Sequence, residues 1–409
     1  MNVNIERIKR DLDTINSFNS TPGKGVTRLT FSQEYQQAYN YLIDELKLIG
    51  AVVRICRAGC IRGRLVGSNS CKPAVMCGSH IDTVPNGGRF DGQVGTVLAL
   101  EIARVIVEKN VAHSHPIDVV VFTEEEGSRF GIGMAGSSAW TGGMDLQTLY
   151  GSKDKDGITY EEAMESAGIE VQEAIPLQRS VAKAMLEVHI EQSVVLDKKG
   201  LSIGVIESIA GAKLYDLVVK GRADHAGGTP MSFRKDALQG MARIVSAVED
   251  IAANQMGPHT VATCGWIKAE PGAVNVIPGQ ASATLDLRDS DAENLNTMPR
   301  KIREFAQRVC EERGLEFEMS ERFGVRPVQI PRYLVDLIER NAEQRGIKAM
   351  RMMSGALHDS CKLAEVTDIG MIFVPSKEGR SHCPEEWTDL KHIKNSGDIL
   401  LDTVIELSR

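Results

Sequence analysis

Hydrophobic and polar positions follow two different rhythms along this chain. Apolar residues recur at helical spacing over residues 34–48 and 95–108. Continuous apolar runs occupy 73–78, 117–123, 184–190 and 370–374. Such runs, alternating with helices, predict strands buried on both faces of a mainly parallel sheet. Residues 390–407 predict a closing helix.

The middle of the chain reads differently. Residues 213–220 alternate as a half-buried strand does, and 233–253 are helical with Pro230 just ahead. Residues 260–268 and 281–288 predict two strands around a Pro/Gly-rich turn. A helix over 291–313 and a short strand over 315–319 complete the order βαββαβ, the ferredoxin-like split unit. The predicted fold is α/β: a mainly parallel sheet flanked by helices, with a smaller α+β domain inserted at 209–321. The larger domain is then made of two pieces, 1–208 and 322–409. The length agrees, since 409 residues exceed the ~250–300 at which one core stops growing.

Composition removes several classes. Lys and Arg number 47 against 55 Asp and Glu, a formal net charge of −8, which argues against a nucleic-acid partner. No apolar stretch reaches the ~18 uncharged residues of a membrane span. The start, MNVNIERIKRDLDTINSF, is charged and lacks the apolar stretch of a secretory signal. The eight cysteines form no CxxC pair, the usage expected of reduced thiols in a cytoplasmic protein.

The chemistry-bearing residues gather just after the predicted strands, where open α/β sheets build their sites. GSHIDTVPNGGRFDG carries His80, Asp82 and Asp91. His80 suits a metal, Asp82 could orient its other ring nitrogen, and Asp91 can ligate through both carboxylate oxygens. A plain polar loop is the competing interpretation. Glu124, Glu125 and Glu126 follow the next apolar run. They form either an acidic surface turn or a cluster neutralised by a cation, with one ligand and a neighbouring base. His189 and His382 also lie at or beyond strand ends, places where a lone histidine is usually structural. With His80, Asp91 and Glu126 they make three histidines and two acids, a mix that suits zinc-type ions and two metals sharing a carboxylate.

Several ordered segments are together similar to one family. GSHIDTVPNGGRFDGQVG, TEEEGSRFG, VHIEQS, ADHAGGTPMSFRKDA, AVNVIPG, LDLRD, SGALHDS and MIFVPSKEGRSHCPEE run from about residue 25 to 390. They resemble the hydantoinase/carbamoylase family of binuclear-metal amidohydrolases, within the aminoacylase and di-zinc exopeptidase superfamily. The resemblance implies a di-zinc exopeptidase-like sheet and an inserted lid and dimerisation domain. It implies two divalent ions per subunit, zinc or else manganese, cobalt or nickel. His80, Asp91 and His189 would hold one ion. Asp91, Glu126 and His382 would hold the other, with Asp91 bridging. Glu125 would be the general base and Asp82 the support of His80. His225 would reach a reaction centre across a homodimer interface, and lid contacts would join the subunits. Gln192, Asn275, Arg288, Gly355 and His358 would line the substrate pocket. Judged without the resemblance, Arg288 fits a surface ion pair, and His225 and Asn275 fit turns.

Three positions depart from the common pattern: Ser193 after HIEQ, Leu357 in SGALHDS, and Arg380 before Ser381-His382. None removes a ligand or the base, and all bear on the choice of substrate. Arg380 could supply a positive charge for a second acidic group. The implied activity is cleavage of the ureido C–N bond of N-carbamoyl-L-amino acids, a small-molecule reaction releasing ammonia, carbon dioxide and the amino acid. Allantoate amidohydrolase and β-ureidopropionase are the alternatives. A metallo-exopeptidase or aminoacylase is disfavoured by the short step from His80 to Asp91 and by His189 where peptidase branches carry an acid. A non-catalytic scaffold would lack a ligand or the base.

Overall fold

The computed structural model describes residues 1–409. In chain order its strands are β1 (Val52–Ile55), β2 (Ile61–Leu65), β3 (Ala74–His80), β4 (Ile117–Phe122), β5 (Ala182–Ile190), β6 (Ile203–Ile209), β7 (Gly211–Lys220) and β8 (Asp224–His225). They continue with β9 (Val261–Thr263), β10 (Ile267–Glu270), β11 (Val276–Ile277), β12 (Gln280–Asp289), β13 (Glu316–Val325), β14 (Val328–Gln329), β15 (Ala349–Ser354) and β16 (Asp368–Val374). The chain divides into two compact units, one of Met1–Glu207, Ile330–Met352 and His358–Arg409, the other of Ser208–Gln329 and Met353–Leu357.

The first unit is built on a sheet in the order β1-β2-β4-β3-β5-β16-β6. Its centre, β4, β3, β5 and β16, is parallel. The flanking pairs β1/β2, β2/β4 and β16/β6 are antiparallel. Every residue of β3 and β4 is buried, as expected when both faces of a parallel sheet are covered. The helix Gln93–Glu108 packs on β3, β4 and β5, and the closing helix Leu390–Ser408 packs on β3, β5 and β16. Each fully buried Leu or Ile of such layers contributes about 1.5–3 kcal/mol. Gly78 permits close strand contact, because a Cβ there would lie 1.8 Å from the Val120 carbonyl oxygen. No helix is long and apolar enough to cross a membrane.

The second unit holds an antiparallel sheet in the order β10-β12-β7-β13, with β9 also pairing β12. With the helices Ala237–Gln255 and Ala292–Arg313 this is the ferredoxin-like order, and the helices pack on Leu217, Val219, Leu285 and Leu287. β12 alternates buried and half-buried residues along its whole length. Several expected bounds differ. The strand expected at 260–268 is two strands, β9 and β10, parted around Gly265. The first helix begins at Ala237 rather than 233, because Asp236 caps it by accepting from the Gln239 N–H. The strand expected at 315–319 is the ten-residue β13, held along its length by pairing with β7. It carries the second unit past residue 321 to Gln329, and this unit also takes residues Met353–Leu357.

Candidate metal centre

Four strand ends converge in the first unit. His80 ends β3 opposite Phe122 of β4, and His189 of β5 lies opposite Phe373 of β16. Glu124–Glu126 follow β4, and His382 follows β16 in the chain. Asp91 lies in the turn before the helix Gln93–Glu108. There Gly92 has φ +71°, and a Cβ on it would lie 2.4 Å from the His80 ring. Only glycine lets the turn pass that close.

Asp91 is the hub of the cluster. Its Oδ1 lies 3.1 Å from His189 Nε2 and 3.6 Å from His80 Nε2. Its Oδ2 lies 3.2 Å from His382 Nε2. Glu126 Oε2 is 3.5 Å from His382 Nε2, and Glu125 Oε2 is 3.7 Å from His80 Nε2. The tautomers are set by main-chain carbonyls, which can only accept. His80 Nδ1 donates to Asp82 O at 3.1 Å, and His189 Nδ1 donates to Ile190 O at 2.9 Å. His80 Nε2 is thereby turned into the cluster with no hydrogen-bond partner, whereas His189 Nε2 faces Asp91 and lies 3.2 Å from the Gly92 N–H. The expected support of His80 by Asp82 thus runs through the carbonyl. The Asp82 carboxylate is 3.7 Å away at Oδ1, and its Oδ2 accepts from the Glu126 N–H at 3.0 Å.

Burial and like charge act strongly on these acids. Burial, with Asp91 nearby, pushes the Glu126 carboxyl up to about 8. Burial, opposed by His80 and reinforced by Glu126, holds Glu125 well above the ordinary carboxylate range. Burial also raises Asp91, but the charge and hydrogen bond of His189, with His382 and His80, hold it well below that range. The hydrogen bond to Asp91 raises His382 to about 9.

These residues fit a divalent metal. Three groups have all their ligand atoms within 4.8 Å of one another: His80/Asp91/His189, His80/Glu125/Glu126 and Asp91/Glu126/His382. His80 Nε2 and Glu126 Oε1 are buried without a hydrogen-bond partner. Buried polar atoms left so are rare, and a bound cation is one explanation. Imidazole and carboxylate donors together suit zinc and its first-row neighbours.

Glu124, Gln192 and His382 take left-handed backbone, with φ of 52°, 56° and 55°. Non-glycine residues hold such angles only where their surroundings fix them, and such residues cluster at functional sites. Glu124 is fixed by accepting from the N–H groups of Arg129 and Phe130 at 3.0 and 2.7 Å, which folds the loop after β4. Gln192 Nε2 donates to Asp91 Oδ2 at 2.8 Å. His358 is buried edge-to-face on His189 with ring centres 4.6 Å apart, and burial keeps its pKa well below the ordinary histidine range. Arg380 is half-exposed and paired with Glu385 at 3.0 Å.

The remaining expected site residues belong to the second unit. His225 is exposed, and its Nδ1 accepts from the N–H groups of Gly227 and Gly228 at 3.1 and 3.0 Å. Its ring proton is therefore on Nε2. Asn275 is exposed at a turn, its carbonyl accepting from the Ala226 N–H at 2.9 Å. Arg288 pairs with Asp286 and donates from Nη1 to Gly355 O at 2.9 Å. Arg288 and Gly355 border a cavity of about 580 Å³ that is also lined by Thr263, Thr284 and Arg322.

Sequence reasoning gave no separate role to Glu124 and passed over Glu386, a buried acid that accepts from the Phe90 and Asp91 N–H groups. Both act on loop backbone, Glu124 five and six residues on and Glu386 nearly 300 residues back, a role that leaves no periodic signal. The available hint was an acid beside a histidine-bearing loop, in SHCPEE.

The chain matches the model of peptidase family M20/M25/M40 over residues 76–406. It is 39% identical to the N-carbamoyl-L-amino-acid amidohydrolase of Paenarthrobacter aurescens over 406 residues, covering 99% of this chain and 98% of that one. It is 33% identical to the allantoate amidohydrolase of Escherichia coli strain K12 over 386 residues, covering 94% and 93%. Among solved structures, an amidase of the hydantoinase/carbamoylase family from Burkholderia multivorans superposes with a TM-score of 0.93 at 32% identity, covering 100% of this chain and 98% of that one.

Proposed function

This chain belongs to the peptidase M20/M25/M40 family, in its hydantoinase/carbamoylase branch, and is a hydrolase of carbon–nitrogen bonds other than peptide bonds; on that premise we propose that it hydrolyses the ureido C–N bond of N-carbamoyl-L-amino acids. The observation that carries this is the Asp91-centred cluster in a chain similar, over nearly its whole length, to relatives of that name. Water adds to the ureido carbon, the bond to the amino-acid nitrogen breaks, and the carbamate left behind decomposes to carbon dioxide and ammonia.

His80, Asp91 and His189 would hold one divalent ion, and Asp91, Glu126 and His382 a second. When bound, such ions supply Lewis-acid charge stabilisation. Glu125 is the general base. Its side chain is 11% exposed, and its raised pKa suits it to accept a proton from the attacking water and return it to the leaving nitrogen. Asp82 keeps His80 in the tautomer with a bare Nε2. His225, with its proton on Nε2, donates to the oxygen on which negative charge grows, a role worth roughly 3–4 kcal/mol per donor. It does so within a homodimer, from the partner subunit's lid. Arg288 grips the substrate carboxylate, with Gln192, Asn275, Gly355 and His358 completing the pocket.

Allantoate is the second substrate considered, because relatives at 33% and 30% identity carry that name. The test is ammonia release by metal-reconstituted enzyme from N-carbamoyl-L-amino acids, allantoate and N-carbamoyl-β-alanine. The proposal requires the highest kcat/KM for the first. A higher value for allantoate replaces it with the second.

A further inference from the structure

We propose that Glu386 is a positioning residue that fixes the direction in which Asp91 presents its carboxylate. This rests on Asp91 being a ligand of the divalent centre proposed above. Glu386 is 2% exposed, and its Oε1 accepts from the N–H of Phe90 at 2.9 Å and of Asp91 at 3.1 Å. Its Oε2 is 2.9 Å from Ser381 Oγ, and that hydroxyl is 3.0 Å from Asp91 Oδ2. The hydroxyl has one proton and two carboxylate oxygens to serve. Glu386 therefore holds Asp91 directly at its amide, and the two carboxylates share the single proton of Ser381 between them.

The surroundings are shaped for this contact. A Cβ at Gly88 would fall 2.0 Å from the Glu386 carboxyl, so glycine lets the 88–91 turn close over it. Trp387 packs edge-to-face on Phe90 with centroids 5.5 Å apart, which ties the same two segments from the other side.

Direction matters at Asp91 because its two oxygens have different neighbours. Oδ1 faces His80 and His189, whereas Oδ2 faces His382. Turning the carboxylate out of its present plane would aim neither oxygen at its histidines. Outer hydrogen bonds of this kind typically govern metal affinity by 10–100-fold.

The experiment titrates metal-stripped full-length protein with Co²⁺, following its visible absorption, for the unaltered chain, Glu386→Ala, Glu386→Gln and Ser381→Ala. Glu386→Ala should weaken binding by about 10–100-fold and change the Co²⁺ spectrum. Glu386→Gln keeps an oxygen that can accept both N–H groups and should restore most of the affinity. Ser381→Ala removes only the bridging hydroxyl, so it should melt like the unaltered chain yet bind Co²⁺ about tenfold more weakly. This variant decides the matter if Glu386→Ala does not fold. Native affinity and spectrum in Ser381→Ala and in folded Glu386→Ala would overturn the proposal. If the unaltered chain binds no Co²⁺, the metal-centre assignment itself fails, a result distinct from the first.

Discussion

Arg288 and Asp286 share one face of β12 and lock together as a fork, Nε and Nη2 each donating at 3.1 Å to a different oxygen of the carboxylate. Residues two apart on a strand point the same way, so the pair is dictated by the sequence Asp-Leu-Arg. In the proposed pocket, a substrate carboxylate would meet a guanidinium already held in plane. Arg288→Ala should raise KM for a carboxylated ureido substrate by about 10–100-fold, the worth of hydrogen bonds to a charged group, with less effect on kcat. Arg288→Lys should recover little, because an ammonium cannot form the fork. Steady-state ammonia release checks both, and an unchanged KM removes Arg288 from the pocket.

Glu125→Gln keeps the size of the side chain but cannot take a proton. It should bind the same metal equivalents as the unaltered enzyme and lose about 10²–10⁴ of kcat. Elemental analysis beside turnover measures both. Near-normal turnover would move the base elsewhere.

The metal-stripped protein should lose stability as pH rises from about 5 to 9. Glu126 titrates at 4.5 ordinarily and at about 8 when folded, so its contribution is whole below 4.5 and lost as pH rises through 8. His382 goes from 6.5 to about 9, so its contribution is whole below 6.5 and lost through 9. Both slopes have the same sign. Melting temperatures of chelator-treated protein should fall across this window, and less steeply in Glu126→Gln. Equal slopes in the two proteins would contradict the Glu126 assignment.

Gly92→Ala forces a Cβ into the His80 ring and a side chain onto φ +71°. Strain of this kind costs on the order of 1–3 kcal/mol. A lower urea midpoint, together with weaker Co²⁺ binding, is expected. A variant that binds Co²⁺ normally would show that the turn relaxes without moving His80.

The predicted buried strands correspond to β3, β4, β5 and β16, because a strand covered on both faces must be apolar throughout. Those four strands also position the histidines and Glu124–Glu126, so much of the candidate centre was legible. The edge pair β1 and β2 was not, since Val52-Val-Arg-Ile and Ile61-Arg-Gly-Arg-Leu mix charge with short apolar stretches. Glu124 and Glu386 were opaque for another reason. Their partners are loop N–H groups, which every residue but proline carries, so no residue type announces the contact.

The parallel pairing of β5 with β16 bears on when the centre can form during synthesis. The whole stretch Ser208–Gln329 lies between these strands. A nascent chain that has only just completed it already contains His80, Asp91, Glu126 and His189. It still lacks His382 and the strand that leads to it. Of the groups proposed to hold an ion, His80/Asp91/His189 is then already in the chain, whereas Asp91/Glu126/His382 waits for β16 and the segment after it.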